Sequence, residues 1–208
     1  PKLMEYTEMI SSEVRLSGSP EEKKIFEYIK ACLDEHGIPN ELTYCDGYIS
    51  LPKEATLCID EEYYPCITAS MAAPTSKEGK TLELMMVGDE NRLRSIGEQV
   101  AGKAIVLYGF TSRTAVQRAE QFGAAACIFI NGEHLHSMIC SPVWGNPTPS
   151  TCSLIPNIHV LSVDRYWGEK LVRAAEQHKK AHITAFVDCG WRKIPTLVAE
   201  IPGEEEPD

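Results

Sequence analysis

Lys103-Ala104-Ile105-Val106-Leu107-Tyr108 and Ala124-Ala125-Ala126-Cys127-Ile128-Phe129-Ile130 are two apolar runs of strand length, set either side of a short polar segment. Runs this continuously apolar are those of strands buried on both faces. Between them, Thr111 or Ser112 is placed to cap a helix that runs to Phe122, and Gly123 ends it. Strand, helix and strand in that order predict a parallel βαβ crossover. This unit decides the fold class, because a parallel pair implies a sheet carrying helices on its faces.

The pattern extends outward in both directions. Upstream, residues 56–59, 64–69 and 82–87 are short β-prone runs separated by Pro, Gly and charged turns. Downstream, a loop rich in Pro and Ser spans residues 131–154, and residues 155–161 read as a further strand. Ser162 or Asp164 starts a helix carrying Tyr166, Leu171, Val172 and Ala175. Residues 181–187 and 196–201 read as two closing strands. The expected architecture is a mixed, β-rich α/β domain with two or three flanking helices.

A helical arm precedes it. In Ser19-Pro20-Glu21-Glu22 the serine is an N-cap, the proline fits the first helical position and Glu22 completes a capping box. Ile25, Phe26, Ile29, Cys32 and Leu33 then follow helical spacing up to the cap at Gly37. A weaker amphipathic helix is expected in residues 1–14, through Leu3, Tyr6, Ile10 and Val14. The chain closes on Leu197-Val198-Ala199-Glu200-Ile201-Pro202-Gly203, an apolar run that leads toward another element. We therefore expect the front section of a longer protein.

Composition narrows the function classes. The formal net charge of −10 disfavours nucleic acid, whose phosphates call for clustered Lys and Arg. No apolar run approaches the roughly 18–20 residues of a membrane span. The eight cysteines show no Cys-x-x-Cys spacing, and several lie inside apolar runs, as in Leu57-Cys58-Ile59. They read as reduced thiols in a reducing, cytoplasmic compartment rather than as a disulfide framework.

The order of these motifs resembles a known family. Arg15-Leu16-Ser17-Gly18-Ser19-Pro20-Glu21-Glu22, with the helix ending at His36-Gly37, is similar to the amino-terminal arm of the M28-type zinc exopeptidases. Residues 102–107 and 119–130 resemble the centre of the protease-associated (PA) domain inserted in many members, and residues 154–162 resemble its next strand. Residues 197–203 resemble the strand that re-enters the peptidase domain. The resemblance implies a PA-type swivelling β/β/α domain over 41–190, an arm over 1–40 and a re-entry strand over 191–208. It also implies that the parent is an aminopeptidase or carboxypeptidase with two zinc ions and a glutamate base. This chain would be a non-catalytic lid whose partners are its own catalytic domain and a peptide substrate.

No catalytic or metal-ligating residue of that family can be carried over. None of the six histidines is followed two residues later by Asp, and there is no His-Glu-x-x-His. His134-Leu135-His136 places two imidazoles together, but only Glu133 lies near in sequence as a carboxylate. Cys140 and Cys152 flank the loop without the elbow a nucleophilic cysteine uses. Gly109-Phe110-Thr111-Ser112 stands where a strand meets a helix N-terminus, a place that can hold an anion, yet it lacks the glycines and lysine of a phosphate loop. The 131–154 loop is longer than a plain connection. Within it, Trp144 and Asn146 are the candidate substrate-side lid residues. The alternative function is a stand-alone PA-type interaction module. The apolar face Ile25, Phe26, Ile29 and Leu33, if left uncovered, is expected to drive self-association.

Overall fold

The computed structural model describes residues 2–143 and 145–203. The chain divides into two compact units, Ser50–Cys189 and a smaller one built from Pro1–Ile49 with Gly190–Asp208. Two long strands, β1 (Asn40–Ile59) and β8 (Lys180–Ala199), run from one unit into the other.

The larger unit is a mixed sheet. Its further strands are β2 (Glu62–Tyr64), β3 (Cys66–Thr68), β4 (Lys80–Gly88), β5 (Ala104–Tyr108), β6 (Ala126–Ile130) and β7 (His159–Val163). The order across the sheet is β2-β1-β8-β4-β5-β6-β7-β3. The four strands β4 to β7 are parallel, in the registers Leu84↔Ala104, Ala104↔Ala126 and Ala126↔His159. Antiparallel β8 and β3 flank this parallel centre. The βαβ unit read from the sequence is present as β5, α4 (Arg113–Gln121) and β6. Ser112 is the cap, accepting the Ala115 amide at 3.3 Å.

The pleat sorts the buried residues onto two faces. Ala104, Val106, Ala126, Ile128, Ile130, Leu161 and Val163 form one core with Leu171, Ala174 and Ala175 of α5 (Arg165–Glu176). Alternation along the same strands puts Ile105, Leu107, Cys127 and Phe129 on the opposite face. There α4 packs on β6, and α3 (Glu90–Ile96) packs on both α4 and β4. The helix pair is tied by Glu90, whose carboxylate accepts from Arg118 at 2.7 Å, Thr114 at 2.9 Å and Arg94 at 3.2 Å. Burial raises its pKa, and these donors outweigh burial and hold it below the usual carboxylate value. On the other face α5 comes very close to the sheet at Gly168, where a Cβ would fall 2.2 Å from Ile130 Cγ2.

In the smaller unit, α1 (Lys2–Ile10) and α2 (Pro20–Glu35) match the expected arm. Ser19 Oγ accepts the Glu22 amide at 3.1 Å as expected. Glu22, however, reaches back to the amide of Gly18 at 2.7 Å, because the Ser19 amide is already bound to the Leu16 carbonyl. At the far end Gly37, at φ +68°, sends its amide to Asp34 while Ile38 binds Leu33, a Schellman closure. Of the expected apolar face, Ile25 is buried and Phe26, Ile29 and Leu33 are half-buried. In the same unit the outer halves of β1 and β8 form a ladder, carrying a T-shaped Tyr48–Trp191 pair at 5.7 Å and a Lys193–Asp46 ion pair at 2.8 Å.

Three expectations change in the structure. Residues 40–55 are strand, although only 56–59 read as one. Residues 181–187 and 196–199 belong to a single strand, which ends at Ala199, short of the expected 201. The 155–161 strand begins only at His159, after a 3-10 turn at Cys152–Leu154.

Candidate functional site

Parallel strands deliver their outgoing loops to one edge, and in open α/β sheets that edge is where ligands bind. Here the edge is made by the ends of β5, β6 and β7 at Tyr108, Ile130 and Val163. Asn131 binds the three ends together. Its amide donates to Val163 O at 2.8 Å and its side-chain Nδ2 to Gly109 O at 3.0 Å. Its Oδ1 accepts the His136 amide at 3.2 Å. A nearly buried asparagine of this kind is satisfied on both sides of its amide. The sequence reading passed over Asn131. The available signal was a polar residue placed directly after five buried strand positions.

The 131–154 loop is anchored rather than free along its first part. Ser70 forms a bridge with Ile139: the Ser70 amide donates to Met138 O at 2.9 Å and the Cys140 amide to Ser70 O at 3.0 Å. The Ser141 hydroxyl accepts the Val143 amide at 3.0 Å, and Thr148 and Thr151 close a turn further on. His136 meets the Phe110 ring edge-on at 4.9 Å. Asn146 lies exposed on this loop, and Trp144 lies outside the described residues.

The thiols here are not poised for chemistry. Cys140 is fully buried and donates to Ser70 O at 3.2 Å, and burial pushes its pKa up to about 12. A nucleophilic cysteine has the opposite shift. Cys66 is likewise pushed up to about 12, and Cys127 is raised further by complete burial. All eight cysteines are free thiols.

His159 is the one buried histidine, and its Nδ1 bonds the Ala73 carbonyl at 2.9 Å. Burial lowers its pKa, only partly countered by that carbonyl, and the Lys80 charge lowers it further. The unfolded chain therefore takes up the proton first, near the usual value of about 6.5. Stability is full above that pH and falls as pH drops below it. Carboxylates held low in the fold, such as Asp34, Glu83 and Glu90, act only below about 4.5. Between pH 6.5 and 5 the urea midpoint of the wild type should fall, and that of His159→Gln should stay nearly level. Equal slopes for both proteins would remove His159 as the cause.

Among the described residues, no three His, Cys, Asp or Glu side chains come together in a way that could hold a metal ion. No helix among them is long and apolar enough to cross a membrane.

This architecture, a parallel-centred mixed sheet continued by two long strands into a helical unit, is a fold found in zinc aminopeptidases. The aminopeptidase from Aneurinibacillus sp. strain AM-1 superposes with a TM-score of 0.71 at 19% identity, over 97% of this chain and 48% of its own. BSAP, a zinc aminopeptidase from Bacillus subtilis, gives 0.70 at 19% identity, over 96% and 46%. A peptidase M28 precursor from Shewanella amazonensis SB2B gives 0.67 at 15% identity, over 96% and 50%. The chain thus spans about half the length of each of these proteins. By sequence, no family model and no curated protein matches it.

Proposed function

We propose that this chain is the substrate-access part of a zinc-dependent exopeptidase of the M28 type. Residues 41–190 are the PA domain, and 1–40 and 191–208 belong to the peptidase domain. The observation that carries the reading is the likeness of nearly the whole chain to about half of several aminopeptidases. The described residues offer no metal-holding group, so no catalytic step is assigned to them. In the parent, the zinc ions would polarise the scissile carbonyl and lower the pKa of a bound water. The part played by this chain is to bound the cleft and orient the peptide end. Trp144 and Asn146 are the loop residues that face substrate. The arm pairs with the catalytic domain, and with a second copy when that domain is missing.

The test compares the parent with this chain on aminoacyl and dipeptide substrates, with and without a chelator. Chelator-sensitive hydrolysis is expected in the parent and none in the chain. Trp144→Ala and Asn146→Ala in the parent should raise KM about threefold to tenfold with less change in kcat, as loss of uniform binding does. Hydrolysis by the chain alone would overturn the reading. A parent inactive in every assay would instead favour the interaction module.

A further inference from the structure

Beside the carboxyl edge of the sheet lies a hollow of about 580 Å³ between α5 and the ends of β5 and β6. This size is within the roughly 300–1,000 Å³ of small-molecule sites. Its helical wall carries Arg165, Glu169 and Arg173. At spacings of four residues these three stand on one face of α5. On other helices, charges at this spacing close on each other, as in Lys23–Glu27, Lys30–Asp34 and Arg94–Glu90. The α5 set does not: among the described residues, none of its three charged side chains takes part in an ion pair or side-chain hydrogen bond. On the same helix Val172 is half-buried, and across the hollow stand the buried Ile130 and Asn131 with Tyr108, a residue 59% exposed.

Two guanidinium groups around one carboxylate make this hollow net positive in a chain whose formal charge is −10. A guanidinium fork pairs with a carboxylate in a bidentate manner. A carboxylate between two such forks pairs with an ammonium. The exposed phenol ring beside them offers a face for an apolar side chain. We propose that this hollow binds a free α-amino acid with a bulky apolar side chain. Arg165 and Arg173 hold the α-carboxylate, Glu169 holds the α-ammonium, and Tyr108 with Val172 receives the side chain. The inference does not rest on the peptidase reading, since it concerns binding by this chain alone.

Titration of the intact chain with L-phenylalanine, followed by calorimetry and by amide NMR shifts, tests it. Saturable binding is expected, with shifts centred on residues 108 and 165–173. Phenylalanine amide, which lacks the carboxylate, should bind about tenfold more weakly or worse. N-acetylphenylalanine, which lacks the ammonium, should lose a smaller factor, and Glu169→Gln should abolish that difference. Arg165→Ala and Arg173→Ala should each weaken phenylalanine binding severalfold. All three charged residues are exposed, so melting temperatures should be unchanged and mark the variants as folded. Absence of saturable binding, equal affinity for acid and amide, or indifference to the arginine variants would each overturn the proposal. Tighter binding of N-acetylphenylalanine than of phenylalanine would do the same for the ammonium contact, and would make the ligand a peptide C-terminus.

Discussion

Replacing Phe129 by alanine should destabilise the larger unit by about 3–5 kcal/mol. Among the described residues Phe129 is the bulkiest of the fully buried side chains, with 1% of its surface exposed. It stands on β6, an inner strand of the four parallel ones, in register with Leu107 on one side and Ser162 on the other. Those neighbours belong to backbone-paired strands, which cannot move in to fill a gap without breaking the ladder. The vacated space would stay largely open, placing the penalty toward the upper end of the range. In a protein of this length such a loss should lower Tm by roughly 10 °C. Phe129→Leu keeps most of the volume and should lose under about 2 kcal/mol. Urea melts of both variants check this, and equal losses would mean that the ring's volume is not what matters.

Gly79→Ala should lose about 2–5 kcal/mol through a different cause. Gly79 has φ +70°, a conformation that disfavours a side chain by about 1–2 kcal/mol. A Cβ there would also lie 2.5 Å from the carbonyl oxygen of Ile183 and 2.8 Å from His182 Nε2. The nearest atom is backbone of β8, the antiparallel partner of β4 directly after the turn, where Lys80 pairs with Ile183. Relief therefore means parting two strands, an overlap of the kind that adds about 1–3 kcal/mol. Gly102 is the control. Its φ of +72° is nearly the same, but nothing lies within 4 Å of its Cβ position. Gly102→Ala should therefore show only the backbone share, about 1–2 kcal/mol. Similar losses at the two positions would remove the contact with β8 from the explanation.

Legibility in the sequence tracked how local the cause of each element was. The helix α2 was readable because Ser19, Pro20 and Gly37 act within one turn of themselves. The β5-α4-β6 unit was readable because its strands are buried on both faces and so apolar throughout. The helix α3 went unread although Asp89 caps it at Arg92, since seven residues with only Leu93 buried show no period. The outer half of β1 and the stretch 188–195 of β8 went unread for a related reason. Most of their residues are exposed or half-exposed, and Gly47, Gly190 and Pro195 interrupt the pattern. Cross-strand pairing extends them, with Gly47 leaving room for Ile194 to lie across it.

The candidate site divides along the same line. The sequence marked the 131–154 loop by its length and composition, and it marked Cys140 by its neighbours. It could not show that Cys140 is sealed against Ser70, because those residues are brought together only by the bridge at Ile139. Nor could it show Asn131 joining three strand ends, since Gly109, His136 and Val163 meet there only once the strands are in register.

By itself, then, the sequence determined the class: an α/β chain with a parallel centre, a capped helical arm and free cysteines. Those properties follow from hydrophobic period, cap chemistry and cysteine spacing, which act over a few residues. Tertiary structure alone decided the strand order, the length of β1 and β8, the tight seat of Gly168 on Ile130 and the gathering of Tyr108 with Arg165, Glu169 and Arg173. Each joins residues tens of positions apart through register and close packing, and no local pattern encodes such a juxtaposition.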